Sequence, residues 1–401
     1  MTRKKVLFFA EPATLAHVAR PVVLANSLDS RRYEVVVATG PDFRQLVSKA
    51  GLTLRDLHAI GTRAYLDSVA SGRPVYSFSV LEEYVRDDLR HIEQFRPDLI
   101  VGDFRLSLAV SARLSSVPYW TISNAYWSPF TPVSFDMPAH PLTGLVGVRA
   151  ARLGFRLFRP LIFAYHSLPM ERLRRRYGMR SLGLDLRSTF SEADRTLFAD
   201  VPELVPTSNV EPAGRYIYIG PITWSPGGPL PPELGAYRDR RPLVYVALGS
   251  SGDSRVLDHI VGALVRMKCH VVVAVGSEEN KSRFAAGVIA AGYLPGDAVS
   301  RLADIAICNG GSPSTHQALL EGTPVLGIPS NLDQLLNMQF VTASGAGLTL
   351  RADECSGESV GDSVERLLST PSFRQSAERA ACWLRGYVAT ERFAELVQES
   401  L

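Results

Sequence analysis

Cysteine is scarce in this sequence and never closely paired: Cys269, Cys308, Cys355 and Cys382 stand far apart, with no C-x-x-C spacing anywhere. A disulfide-stapled frame is thereby excluded, and the four read as reduced thiols in a cytoplasmic protein. Long apolar runs are missing as well. The opening MTRKKVLFFAEPATLAH is basic and then apolar, but Glu11 and Pro12 end the run too soon for a signal peptide. No stretch approaches the ~18 apolar residues that a membrane span needs. Charge of one sign is lacking too, since 43 basic against 40 acidic side chains leave a formal +3, which does not select nucleic acid as a partner. There is no internal repeat and no low-complexity tract. What remains is a chain of 401 residues, enough for two domains that each bury a core.

Short apolar runs alternate with segments of helical spacing. In the first half, strands are expected over Val6–Ala10, Glu34–Thr39, Leu52–Leu57, Asp98–Asp103 and Tyr119–Ser123, with helices over His17–Leu28, Phe43–Gly51, Val80–Phe95 and Leu106–Ser115 between them. Alternation of this kind predicts a parallel sheet covered on both faces. Arg195–Ala199 and Tyr216–Gly220 read as its last strands. The segment 221–241, rich in proline and glycine, reads as an interdomain linker. The pattern then restarts with strands over Leu243–Leu248 and His270–Val275.

The segment ADIAICNGGSPSTHQALLEGTPVLGIPSNLDQLLNMQ, running to Gln339, carries the densest chemical punctuation. The apolar run Ile305–Cys308 ends at Asn309-Gly310-Gly311, and a helix starts near Ser312 to Ser314. Strand, glycine turn and helix start together aim free N–H groups and the positive end of a helix dipole at one spot, which makes an anion site. Gly310 and Gly311 permit positive φ and close approach of a phosphate, while Ser312, Ser314 and Thr315 offer hydroxyls or a cap. A plain strand-to-helix turn is the competing interpretation of such glycines. A second loop after the next apolar run carries Asp333 and Gln334, a carboxylate and an amide suited to paired sugar hydroxyls, and in a parallel sheet it opens onto the same crevice.

This segment resembles the nucleotide-sugar signature of GT-B glycosyltransferases of family 1. The resemblance implies that Gly310, Gly311, Ser314 and Thr315 hold a diphosphate, that Glu321 near the helix end binds the ribose, and that Asp333 with Gln334 holds the donor sugar. The family's usual His in this turn is Asn309 here, which can hydrogen-bond a phosphate oxygen but brings no positive charge. Gly249-Ser250-Ser251-Gly252 resembles the family's Gly-Ser loop near the donor phosphates, and Tyr293-Leu294-Pro295 occupies the place of its nucleobase cradle, a buried strand-end Tyr293 being the alternative.

In the first half, the family has a Gly-His after strand one as general base, and EPATLAHVARP matches in His17 and Pro21, with Ala16 for the Gly. Asp103, closing DLIVGD, is the matching partner carboxylate, which would orient the imidazole and stabilise its protonated form. The alternatives are a cap or surface role for His17 and an N-cap role for Asp103. Tyr126, Trp127, Phe130 and Phe135 fall in a long aromatic loop where the family binds acceptor; packing beneath the loop is the alternative. Between Leu142 and Tyr177, Arg149, Arg152, Arg156 and Arg159 recur at helical spacing; such a basic amphipathic stretch suits an anionic membrane surface, an acidic partner or simply solvent.

The resulting expectation is an α/β chain of two Rossmann-like domains, GT-B in type, facing across a cleft. Residues 1–220 would bind acceptor, 242–380 the nucleotide sugar, and 381–401 would form a last helix returning to the first domain. The expected activity is inverting transfer from a UDP- or dTDP-sugar to a hydroxyl of a small, largely apolar acceptor. No cofactor or metal is expected, because no Asp-x-Asp occurs. A nucleotide-sugar epimerase and a non-catalytic nucleotide-binding partner are the rival functions.

Overall fold

A computed structural model describes residues 3–401, apart from 141–142, 144–146, 209–213, 237–240, 277–283 and 285–286. Part of the expected linker, and the start of the expected basic helix, lie outside the described residues. The chain divides into two compact units. Unit 1 comprises residues 1–132, 154–222 and 387–401; unit 2 comprises 133–153 and 223–386.

Unit 1 is built on seven parallel strands: β1 (Lys4–Ala10), β2 (Tyr33–Thr39), β3 (Thr53–Asp56), β4 (Leu99–Asp103), β5 (Tyr119–Ser123), β6 (Arg195–Phe198) and β7 (Tyr216–Tyr218), in the order β3-β2-β1-β4-β5-β6-β7. The last five residues of β1, Val6 to Ala10, are wholly buried, as a strand covered on both faces must be. The helices are α1 (Leu15–Asn26), α2 (Arg44–Lys49), α3 (Thr62–Ala70), α4 (Phe78–Phe95), α5 (Leu108–Ser115), α6 (Val148–Arg176) and α7 (Leu186–Phe190), α6 beginning in unit 2. Unit 2 has six parallel strands: β8 (Leu243–Ala247), β9 (His270–Ala274), β10 (Val288–Ala291), β11 (Ile305–Cys308), β12 (Val325–Gly327) and β13 (Gly347–Thr349), in the order β10-β9-β8-β11-β12-β13. Its helices are α8 (Leu257–Arg266), α9 (Gly296–Leu302), α10 (Ser312–Leu320), α11 (Leu332–Ala343), α12 (Gly357–Ser369) and α13 (Pro371–Arg385). The last helix, α14 (Ala389–Ser400), lies in unit 1, where Phe393 meets Phe8 and Trp120 at ring-centroid distances of 5.9 and 6.2 Å.

Two places in this topology matter for function. In unit 1 the strand order reverses between β1 and β4, and the register sets Ala10 beside Asp103. In unit 2 it reverses between β8 and β11, with Ala247 beside Cys308. The chains leaving the carboxyl ends at such a switch point diverge to opposite faces and open a crevice for ligands. The sequence expectation put 133–153 with the first domain; these residues pack instead with unit 2, where Arg351 donates to the Met137 carbonyl and Ala139 N–H to that of Ser330.

Candidate active site

At the unit 1 switch point, the loop after β1 leads into α1 and places His17 in its first turn, while Asp103 ends β4. Their side chains meet, His17 Nδ1 lying 2.8 Å from Asp103 Oδ1. Asp103 is completely buried, and it also accepts from Arg20 Nε at 2.8 Å and Arg20 Nη2 at 2.7 Å. Arg20 Nη2 also lies 3.2 Å from Nδ1. A carboxylate beside Nδ1 favours the tautomer with its proton there, the one in which Nε2 is the acceptor. Pro21, one turn on, lacks the N–H that would otherwise bond the His17 carbonyl. Arg20 extends the chain of contacts, Nη1 donating to Asn124 Oδ1 at 2.9 Å and Asn124 Nδ2 to Asp200 Oδ2 at 3.1 Å.

Phe104, directly after Asp103, adopts φ +59°. A bulky residue in that region is strained by ~1–3 kcal/mol, and the surrounding packing must hold it there. The turn lays its ring on the His17 imidazole, with centroids 4.7 Å apart and planes 19° from parallel. Tyr65, Tyr76 and Phe190 pack around the same ring, and Trp127 meets Phe190 edge-on at 4.8 Å. His17 thus stands among aromatic rings while 18% of its side chain stays open. Beneath the β1 loop, the fully buried Arg105 joins Glu11 and Asp88, each at 2.9 Å, and lies 3.6 Å over the Tyr84 ring. Burial pushes the Glu11 carboxyl above the usual carboxylate range, against the opposing pull of Arg105.

In unit 2, the turn after β11 is pinned from three sides. Asn309 Oδ1 accepts from Gly311 N–H at 3.0 Å, and its Nδ2 donates to Ser251 Oγ at 3.1 Å, tying this turn to the loop after β8. Gly310 has φ +81° and a Cβ there would lie 2.6 Å from Met338 Cγ, so only glycine fits. Asn337, buried on α11, donates to the Gly310 carbonyl at 2.7 Å and to Thr315 Oγ1 at 2.9 Å. Burial pushes the Cys308 thiol up to about 12, so it stays protonated at neutral pH. The turn delivers the start of α10, whose Ser312 and Ser314 bring N–H groups while Pro313 between them brings none.

Comparisons with known proteins decide the family. Residues 258–391 match the model for the erythromycin biosynthesis protein CIII-like C-terminal domain. The chain is 43% identical over 379 residues to a PGL/p-HBAD biosynthesis glycosyltransferase of Mycobacterium tuberculosis, covering 94% of this chain and 88% of that one. It belongs to the GT-B glycosyltransferases of family 1. A PGL/p-HBAD biosynthesis rhamnosyltransferase of Mycobacterium bovis is 42% identical over 379 residues, 94% of this chain and 84% of its own. An inactive PGL/p-HBAD biosynthesis glycosyltransferase of Mycobacterium bovis is 45% identical over 264 residues, 66% of this chain and 72% of its own. Among solved structures, the spinosyn rhamnosyltransferase SpnG complexed with thymidine diphosphate shares the fold, with TM-score 0.70, 18% identity, and coverage of 99% and 100%.

Within this glycosyltransferase, the residues read from the sequence separate by placement. His17 and Asp103 are brought together. Ser250 and Tyr293 are exposed, and Gly311, Ser314 and Asp333 are half-buried around the unit 2 turn. Thr315 is wholly buried, its hydroxyl donating to the carbonyls of Gly311 and Ser312, so it holds the turn rather than facing outward. Gln334 is buried in the capping box of α11, accepting from Ser330 N–H at 2.8 Å and donating to Ser251 at 3.2 Å. Leu294 is a core residue. Glu321 is not brought to the turn at all: it caps the opposite end of α10 and binds Arg301 through both oxygens, at 2.8 and 3.1 Å. Gln317, one turn earlier, is the polar side chain α10 turns toward the Tyr293 loop, donating to the Trp224 carbonyl at 2.8 Å beside Gly296. Of the loop aromatics, Trp127 joins the rings around Phe104, whereas Tyr126 is wholly buried, Phe130 packs on Tyr216, and Phe135 is buried in unit 2. His316 is a buried residue of α10. Arg20 and Gln317 escaped the sequence reading because only the tertiary fold shows what they meet, Phe104 because its positive φ is not written in its neighbours, and within the Gly249–Gly252 loop the reading singled out Ser250 rather than Ser251.

Proposed function

We propose that this glycosyltransferase moves a sugar from a nucleoside diphosphate to an acceptor hydroxyl with inversion, and that His17 is the general base. The observation that carries it is the buried Asp103 fixing His17 Nδ1 at 2.8 Å, which leaves Nε2 as the proton acceptor. Nε2 takes the hydroxyl proton, the oxygen bonds to the anomeric carbon, and the bond to the diphosphate oxygen breaks with its electron pair. Asp103 stabilises the imidazolium, and Arg20 holds Asp103 in register. On unit 2, the N–H groups and dipole at the start of α10 take up charge on the departing diphosphate, with no metal required. Tyr293 stacks the nucleobase, Gln317 and Asp333 meet the ribose and the sugar, and the rings around Phe104 hold an apolar or aromatic acceptor. A dTDP-deoxyhexose is the donor this reading favours. Its support is the naming of one relative as a rhamnosyltransferase and the thymidine diphosphate complex of the fold neighbour.

His17→Ala should lower kcat by ~10²–10⁴-fold, the usual worth of a positioned base, with thymidine diphosphate affinity unchanged. A variant that kept the full rate would overturn the role of His17. One observation favours a non-catalytic nucleotide binder instead: the Asn309 amide is spent on Gly311 and Ser251, so the turn offers no cationic side chain where the family has His. Tight nucleotide binding with no transfer across a broad donor and acceptor panel would decide for that reading.

A further inference from the structure

Helix α6 is apolar on the wrong side as well as the right one. Its inner face buries Phe155, Phe163, Met170 and Leu173, which suffices to seat it. Yet Leu153, Leu157 and Leu161 stand 71%, 72% and 68% exposed, and Phe158, Tyr165 and Leu168 are exposed beside them. These six are half of the twelve exposed large hydrophobic side chains among the described residues. The leucines recur at four-residue spacing, so they line up along the helix as one ridge. Single exposed leucines are ordinary on protein surfaces; a contiguous ridge marks a contact.

The charge of the molecule is gathered on the same helix. Residues 148–176 hold eight arginines and one glutamate, a formal +7, against +3 for the entire chain, so the remaining residues are net −4. Two of the arginines singled out by spacing are already engaged: Arg152 pairs with Asp136 at 2.6 Å, and Arg159 lies over the Phe163 ring. Arg149, Arg156, Arg172 and Arg175 are exposed, with no ion pair among the described residues. Leucines flanked by uncommitted arginines match the layers of a bilayer surface, apolar chains beneath anionic phosphates, and arginine stems can lie along the ridge while their heads reach the phosphates.

We propose that α6 docks this protein peripherally on an anionic lipid bilayer, with Leu157 and Leu161 entering the headgroup–acyl boundary and Arg156, Arg172 and Arg175 engaging lipid phosphates. A second copy of the chain is a poorer occupant, because two such helices would oppose like charges. A bilayer also accepts a convex ridge without a complementary groove. No helix among the described residues is long and apolar enough to cross a membrane, so the contact lies in the interface plane.

The test is co-sedimentation of the full chain with phosphatidylcholine vesicles, with and without phosphatidylglycerol, at low and high salt. Binding is expected to the anionic vesicles alone and to be reversed by salt, which shortens the screening length. Arg172→Gln and Arg175→Gln should each weaken partitioning about fivefold, the factor equivalent to ~1 kcal/mol per basic residue near an anionic surface. The pair Leu157→Ser and Leu161→Ser should abolish binding with Tm unchanged, since both side chains are exposed. Absence of binding to either vesicle, equal binding to both, or binding indifferent to these substitutions would overturn the proposal. So would a dimer in sedimentation velocity that the leucine substitutions dissolve.

Discussion

Arg20 reaches Asp103 through two nitrogens and Asn124 through a third, with only 5% of its surface open. A planar fork is needed for that geometry, which lysine does not have. Arg20→Lys should therefore fold but lower kcat more than it changes acceptor KM, because the His17–Asp103 pair loses its alignment. Arg20→Gln leaves Asp103 short of a buried cation and should lose ~3–5 kcal/mol of stability by denaturant unfolding. Asn309 calls for a different substitution. Asn309→Asp keeps the acceptor for Gly311 N–H and can accept from Ser251 in turn, so the turn survives. The added negative charge at the diphosphate position should weaken thymidine diphosphate binding about tenfold, ~1.4 kcal/mol by calorimetry. Unchanged affinity would show that the diphosphate does not lie against this turn.

At the scale of elements, the glycine turn before α10 is the most demanding piece. Gly310→Ala meets both a positive φ and the Met338 side chain, so it should lower stability by more than ~1 kcal/mol and reduce nucleotide binding with it. The alternating strands and helices, the turn itself, and the His17 and Asp103 positions were legible in the sequence, because each is written in a few adjacent residues. The rest was not, for a physical reason. Arg20 reads as one more charged residue on α1 until β4 is laid beside it, and Ser251 differs from Ser250 only in which way the loop after β8 turns. Glu321 looked suited to ribose by residue type, but α10 is nine residues long, ~13 Å at 1.5 Å per residue, which carries it to the far end. The basic helix was visible as spacing, yet which of its arginines are committed was not: Arg152 pairs with Asp136 of the preceding loop, and Arg159 lies over Phe163 one turn on.

For the molecule as a whole, burial leaves a signature in pH. His91 is held below the ordinary imidazole range by burial, against the pull of Asp87 and Asp88, and His166 likewise by burial. The unfolded chain then binds more protons just below about pH 6.5, so this contribution is present above that pH and is lost on acidification. Tm should fall between about pH 7 and 5, and His91→Gln should flatten the slope. Glu11, shifted upward, works in the opposite sense, its contribution being lost as pH rises above the ordinary carboxylate range.

The placement of α14 has a consequence for the living cell. Phe393 and Val397 complete the core that begins with Val6 and Phe8, at opposite ends of the chain. On a ribosome, β1 emerges well before α14, and residues 223–386 of unit 2 are synthesised between them. Unit 1 thus stays open while unit 2 is being made, and for that interval its apolar strands are the surface that a chaperone would meet.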